Sequence, residues 1–510
     1  MSARSDRPRR RVSLVRLVVV LAGLGLAGLG LTRYVSDVVA ASDEPDREIH
    51  FAPYVDTTLT PLFHFEDPAV NPVDEVILGF VVADPADGCR PTWGTFYDLD
   101  AAGRALDLDR RIVRLRERGG DVAVSFGGAL NDELAVSCTD PDLLHDAYLE
   151  VIDRYDLTTI DFDVEGPAVV DTEANRRRAE VIARLQEDRP ELEVWLTLPI
   201  APSGLLDDAV AVLDATLEGG VDLSGVNAMV MNYGTLGDDT DEREANESAL
   251  RGLFVQLDSA YRRAGTTLTD AEVWSRISAT PMIGQNDVAG EVFELSDAHA
   301  LVDLAEEVGI GQLSMWSANR DAPCGPSATD GRVSNTCSGV DQDLFEFAAI
   351  LSSATPAPAP AAERADGDRV DSRLLDDPRT SPYPLWRSSK EYVEGDKVVW
   401  QGRVYEAKWY SLGEQPDTPV DQVWETPWRY LGPVLDIDRE AVQRIDRDAD
   451  EVPVWSAERV YVAGDQIRFG NEVFQARWWT QGDQPDADPD QAYDHPWIYQ
   501  GEIELDEEAD

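Results

Sequence analysis

Lysine is almost missing from this sequence. Lys390, Lys397 and Lys408 are the only three among 510 residues, arginine supplies the remaining positive charge, and 98 Asp and Glu leave a formal net charge of -54. An excess of that size repels polyanions, which disfavours nucleic acid and anionic lipid surfaces as partners. Two origins fit it: adaptation to high salt, where a Debye length of a few ångströms removes the self-repulsion, or drift toward arginine on an acidic, soluble surface. Cysteine is scarce as well, with four residues, no CxxC spacing and no histidine beside them. That leaves zinc without support.

Long apolar runs are also few. The one uncharged run of any length, Leu17 to Leu31, follows Arg7, Arg9, Arg10, Arg11 and Arg16 and is closed by the small residues Val39, Ala40 and Ala41. It falls short of the ~20 residues of a comfortable spanning helix. Residues 1–41 therefore read as a cleaved export signal, with an uncleaved signal anchor as the alternative. An exported chain makes disulfides the natural state of its cysteines. Cys324 and Cys337 bracket a loop rich in Gly, Pro, Ser and Asn and are paired on that ground, leaving Cys89 with Cys138.

Residues 352–382, which include "SSATPAPAPAAERADGDR", cannot build a core and divide the chain as a spacer. Downstream, Trp386, Tyr392, Gly395, Asp396, Trp409, Pro416, Trp428 and Gly432 recur 69 residues later as Trp455, Tyr461, Gly464, Asp465, Trp478, Pro485, Trp497 and Gly501. Two small tandem modules follow, 383–434 and 452–503, joined by an acidic linker over 435–451. Upstream, over 49–351, eight strand-like runs alternate with helical stretches such as 107–119 and 175–188: "IHFAPYV", "EVILGFVVA", "DVAVSFGG", "TTIDFDVE", "EVWLTLPI", "GVNAMVMNYG", "SATPMIG" and "GQLSMWSAN". That alternation predicts a (β/α)8 barrel, an α/β fold followed by two small all-β modules.

The fourth run is unusual for such a barrel. Strands covered by helices outside and by packed side chains inside are normally apolar on both faces, yet Asp161, Asp163 and Glu165 share one parity, opposite Ile160, Phe162 and Val164. Three carboxyls directed into a poorly solvated lumen cannot all ionise cheaply, so at least one keeps its proton toward neutral pH. A protonated carboxyl is what glycosidic bond cleavage requires at the leaving oxygen. Glu165, at the C-terminal end of the strand, is the natural donor, because that face carries the chemistry in these barrels.

"SFGG" (125–128), "IDFDVE" (160–165), "MVMNYG" (229–234) and "MWSANRD" (315–321) resemble the SxGG, DxxDxDxE, Met-x-Tyr and terminal-tryptophan motifs of glycoside hydrolase family 18, the chitinases and their relatives. The resemblance implies a retaining, substrate-assisted mechanism with no metal or organic cofactor, in which the 2-acetamido carbonyl attacks the anomeric carbon. Carried onto these positions, Glu165 is acid and then base, Asp163 holds the acetamido N-H, Asp161 is its charge partner, Tyr233 bonds the acetamido oxygen, and Trp316 floors the sugar. Met231 and Asn232 are further candidates for the pocket. Two positions depart from the pattern: Thr158 replaces the first Asp, and Gly234 replaces the Asp that often follows the tyrosine, with Asn232 as the nearest substitute. Gly127 and Gly128 read as structural, allowing a tight strand-end turn, and Trp93 and Trp195, outside any motif, read as core.

Each module holds three or more tryptophans and no cysteine. Too small for a large core, such a module can spare aromatics for the flat C-H faces of sugars. The pattern resembles carbohydrate-binding module families 5 and 12, which bind chitin and sometimes cellulose. Trp409 with Tyr410, and Trp478 with Trp479, are the candidate contacts, on the expectation that neighbours on a strand face opposite ways and at least one of each pair is exposed. The implied partner is chitin or a related N-acetylglucosamine polymer, bound by a secreted monomer without a stable protein partner. Two other readings are an endo-β-N-acetylglucosaminidase acting on other glycans and a catalytically inactive chitin-binding lectin.

Overall fold

The computed structural model describes residues 49–234, 241–325, 333–354, 376, 381–418, 420, 424–435, 438, 452–462, 465–470, 472–476, 479–485 and 496–502. Residues 1–41, expected to be an export signal or signal anchor, most of the expected spacer and Trp478 lie outside the described residues.

All eight expected runs form strands, in a single sheet that closes on itself. The first run is split into β1 (His50–Phe51) and β2 (Tyr54–Asp56); the others are β3 (Glu75–Ala83), β4 (Asp121–Gly127), β5 (Thr159–Asp163), β6 (Glu193–Ala201), β7 (Gly225–Met229), β8 (Ile277–Ala279) and β9 (Gln312–Leu313). Each pairs in parallel with its neighbours: β2 with β3, β3 with β4, and so on to β8 with β9, and β9 returns to β1. Because β1 and β2 are two pieces of one staggered strand, the cylinder has no free edge. It is a (β/α)8 barrel.

Six helices cover most of the outside: α1 (Leu108–Glu117), α2 (Pro141–Tyr155), α3 (Thr172–Asp188), α4 (Asp207–Glu218), α5 (Glu242–Arg263) and α6 (Leu295–Val308). Their starts are written in the sequence. Asp140 accepts from the backbone N-H of Asp142 and Leu143 ahead of Pro141, and Asp171 accepts from Ala174, satisfying donors that a helix start otherwise leaves unpaired. The core lies between strands and helices, where Phe126, Tyr148 and Phe162 meet with ring centroids 5.0–5.3 Å apart. Between β2 and β3, residues 57–74 form turns instead of a helix. Disulfides join Cys89 to Cys138 and Cys324 to Cys337, as the sequence predicts.

Each C-terminal module contains a three-stranded antiparallel sheet. In the first it is β10 (Lys397–Trp400), β11 (Arg403–Ala407) and β12 (Trp428–Pro433); in the second, β13 (Gln466–Phe469), β14 (Glu472–Ala476) and β15 (Trp497–Glu502). The repeat extends to detail. Tyr392 meets Trp428 edge-on at 5.1 Å, and Tyr461 meets Trp497 at 5.0 Å.

Candidate active site

Strand β5 divides its side chains as its alternation demands. Ile160, Phe162 and Val164 are fully buried in the core between sheet and helices, so Asp161 and Asp163 occupy the opposite face.

Asp161 sits deepest and is fully supplied with donors. Tyr54 Oη from β2 lies 2.9 Å from its Oδ2, Ser125 Oγ from β4 donates to Oδ2 at 2.6 Å, and Thr197 Oγ1 from β6 donates to Oδ1 at 2.6 Å. Asn227 of β7 extends the layer, donating to Tyr54 Oη and Thr197 Oγ1 and accepting from Thr280. Burial raises the Asp161 carboxyl to about 6, although the Ser125, Thr197 and Tyr54 hydrogen bonds pull the other way. Tyr54, Thr197 and Asn227 were not singled out in the sequence. Only Ser125, inside SxGG, lay in a motif, and none of the others carries a local signal, since their roles come from five strands meeting in one layer.

One rung higher, Asp163 is 5% exposed and its Oδ1 is buried without a hydrogen-bond partner among the described residues. Burial, then the charges of Glu165 and Asp161, push its carboxyl well above the usual range. Glu165 is half-buried at the strand's open end. Its carboxyl is raised as well, by burial first and then by the charge of Asp287. Three carboxyls climb one face, the lowest satisfied by three donors and the upper two both raised above the usual carboxylate range.

The glycines after β4 allow the approach. Gly127, at φ 107°, carries a missing Cβ that would overlap the Asp163 carbonyl oxygen, and a Cβ on Gly128, at φ 90°, would stand 2.9 Å from the Phe80 ring. Phe80 in turn stacks on Trp316 with centroids 5.5 Å apart, and Tyr54 lies 6.3 Å from the same indole. Trp316 is thus part of an aromatic cluster on the Tyr54 side of the lumen, half-buried just past β9.

The sixth run behaves differently from its sequence reading. Strand pairing stops at Met229; Met231 and Asn232 follow half-buried in a loop. Asn232 takes a left-handed φ of 54° and clips this loop to the one after β8: its N-H donates to Asn286 Oδ1 at 3.2 Å, and its Oδ1 accepts from Val288 N at 3.2 Å. Tyr233 follows, half-buried against the core. Its backbone N-H donates to Glu291, and its hydroxyl donates to Asn246 Oδ1 on α5 at 2.7 Å. The role expected of Tyr233 concerns the acetamido oxygen of a bound sugar; within the protein its hydroxyl bonds Asn246.

On the modules, Trp409 and Tyr410 are both exposed, at 43% and 54%. The opposite-faces argument does not apply to them, since β11 ends at Ala407 and the pair lies in the turn beyond. Trp479 is 62% exposed, and Trp424, which the sequence reading passed over, is exposed at 68%.

Comparison with known proteins places both halves. The model of carbohydrate-binding module family 5/12 matches residues 454–497. A probable bifunctional chitinase/lysozyme of Escherichia coli K12 is 36% identical over 283 residues, 54% of this chain and 31% of that protein. Endochitinase 11 of Metarhizium anisopliae is 35% identical over 281 residues, 54% of this chain and 52% of the relative. The chain thus spans about half or less of these curated relatives. The crystal structure of the catalytic domain of a hyperthermophilic chitinase from Pyrococcus furiosus superposes with a TM-score of 0.53 at 31% identity, covering 61% of this chain and 96% of that one.

Proposed function

The chain belongs to glycoside hydrolase family 18, and from that premise we propose that it is a secreted chitinase, cleaving β-1,4 bonds between N-acetylglucosamine units with retention. The N-terminal arginines and apolar run support export, and the exposed aromatics of the modules support attachment to an insoluble polymer.

The observation that carries the reading is the buried, unpartnered Oδ1 of Asp163 one rung below Glu165. A buried carboxylate oxygen without a donor is costly, and the acetamido N-H of a sugar seated over the ladder would supply one. Held by that bond, the acetamido carbonyl oxygen attacks C1 while Glu165 protonates the departing glycosidic oxygen, giving an oxazolinium ion. Glu165, now a carboxylate, takes a proton from water, and the water oxygen opens the ring from the face that restores the original configuration. The Asp163 charge offsets the positive charge that develops on the ring. Asp161, held by three donors, keeps the charge beneath it fixed. Trp316 and Phe80 offer an apolar wall for the sugar, and Met231 lies at the loop beside it. Tyr233, whose hydroxyl bonds Asn246, would hydrogen-bond the acetamido oxygen of the seated sugar. No cofactor enters the scheme, and a monomer suffices for it.

The test is turnover of a fluorogenic N-acetylglucosamine oligomer by wild type and Glu165→Gln. The expected result is a fall of about 10²–10⁴-fold in kcat, the range for losing a general acid, with chitin binding retained. If wild type and variant are equally inert while both bind chitin, the protein is a lectin on a hydrolase fold.

A further inference from the structure

The first module does not hang from its spacer. Its sheet lies against α1 and against the turns of 57–74, the one barrel connection without a helix. At the centre is Asp107, which precedes α1. It is 1% exposed and adopts a left-handed φ of 52°. An aspartate in this position ordinarily caps its own helix, but Asp107 makes no such bond. Both its oxygens accept from Tyr383 Oη at 2.8 and 2.9 Å, Lys397 Nζ donates to Oδ2 at 2.6 Å, and Arg110 Nε donates to Oδ1 at 3.0 Å. Arg110 continues outward to the carbonyl of Pro433 and to both oxygens of Asp438. A second set flanks the first: Arg429 reaches Asp67 and His64 Nε2, and the Arg114 guanidinium lies 4.6 Å over the Tyr430 ring. At the crossing, a Cβ on Gly432 would lie 2.6 Å from the Arg110 carbonyl oxygen.

The internal repeat supplies an independent control. At the 69-residue offset, Tyr383, Lys397 and Arg429 correspond to Val452, Gln466 and Ile498. The second copy keeps the fold-forming aromatics and has lost the two cations and the phenol that grip the barrel. Lys397 is moreover one of three lysines in a chain that otherwise uses arginine. The two copies are therefore not interchangeable anchors.

We propose that the first module is a fixed wing of the barrel, latched through Asp107 by Tyr383 and Lys397, through Arg110 by Pro433 and Asp438, and through Asp67 by Arg429, so that Trp409, Tyr410 and Trp424 extend the polymer-binding surface at a set position from the active site, while the second copy binds polymer as a separate anchor. The part concerning polymer rests on the reading of the chain as a chitinase. The latch is a buried ion cluster, where removing one partner leaves an uncompensated charge. A docked module also presents its aromatics with their orientation already fixed, instead of relying on tether length alone.

The test gives the first copy the residues of the second, Lys397→Gln with Arg429→Ile, in the full chain. Small-angle scattering should show a longer maximum dimension for the variant; a chain of the spacer's length spans about 30 Å when its ends are free, which sets the scale. Turnover of a soluble N-acetylglucosamine oligomer should be unchanged, and hydrolysis of insoluble chitin should fall by roughly 3- to 10-fold, the loss of one arm of a bivalent attachment. Hydrogen exchange in unmodified wild type gives a check that needs no variant: the amides of Arg110 to Glu117 in α1 should be more protected than those of α3, whose outer face carries the exposed Glu173, Arg176 and Glu180. Equal dimensions for wild type and variant, or unprotected α1 amides, would overturn the latch. An undocked variant with undiminished action on insoluble chitin would overturn the wing. Wild type that is compact but inert on both substrates would sink the chitinase reading and the polymer half of this proposal with it, leaving the latch standing on scattering alone.

Discussion

The hydroxyl of Tyr54 sits 2.9 Å from Asp161 Oδ2 and 2.9 Å from Thr197 Oγ1, joining the first and fifth strands of the barrel to its acid ladder. Replacing Tyr54 with Phe removes one of three donors from a buried carboxyl. The expected cost is about 1–3 kcal/mol, read as a lowered midpoint in thermal unfolding, with a further rise in the Asp161 pKa because a bond that favours its charged form is gone. An unchanged midpoint would mean that Ser125 and Thr197 alone satisfy Asp161.

Gly127 can be neither larger nor differently folded. Its φ of 107° is strained for any L side chain, and the added Cβ would overlap the Asp163 carbonyl. Gly127→Ala should therefore destabilise by more than about 3 kcal/mol, beyond the ordinary left-handed penalty of 1–2 kcal/mol. Denaturant titration measures it. A cost under about 1 kcal/mol would show that β4 and β5 can separate without consequence.

The ladder's pKa shifts fix the sign of a pH dependence. Asp161 rises from an ordinary carboxyl value of 3.8 to about 6, so between those values the folded chain binds more protons than the unfolded one, and stability falls as pH rises through that window. Asp161→Asn should remove this slope, gaining on wild type as pH increases from about 4 to 7. By deleting a charge beneath Asp163, it should also lower the Asp163 pKa and so extend the acid limb of kcat/KM to lower pH. Parallel stability curves for the two proteins would contradict the assignment.

The two disulfides should differ in worth. Cys89 and Cys138 are 49 residues apart and Cys324 and Cys337 are 13 apart, for which loop-closure entropy gives about 4 and about 3 kcal/mol. Double serine variants, melted under identical conditions, should show the larger loss for the longer loop. The reverse order would point to native-state contacts of the short loop instead.

Much of this was legible in the sequence because the relevant signals are local. The alternation in "TTIDFDVE" fixes which face of β5 the acids occupy, the Gly-Gly after Ser125 marks a left-handed turn, and the 69-residue repeat defines two modules before any strand is seen. What was not legible depends on long-range geometry. Tyr54, Thr197 and Asn227 lie in separate strands and converge only when the cylinder closes. The bond from Tyr233 to Asn246 on α5 and the positive φ of Asn232 before it have no signal within the motif. Asp107 reads as a helix cap, and its recruitment by Tyr383 and Lys397, 276 and 290 residues away, leaves no trace in its own neighbourhood. The contrast between Lys397 and Gln466 was present in the repeat, yet it acquires meaning only once the barrel is seen behind one of them.

The most direct test of the ladder as the seat of a substrate-assisted reaction is time-resolved proton NMR of the first sugar released from an N-acetylglucosamine oligomer. Neighbouring acetamido attack beside Asp163, followed by water activated by Glu165, predicts that the new reducing end appears as the β-anomer and drifts to the α-anomer only by mutarotation. An α-anomer at the earliest time points would mean that water attacks the opposite face directly, and the roles given to Asp163 and Glu165 would be wrong.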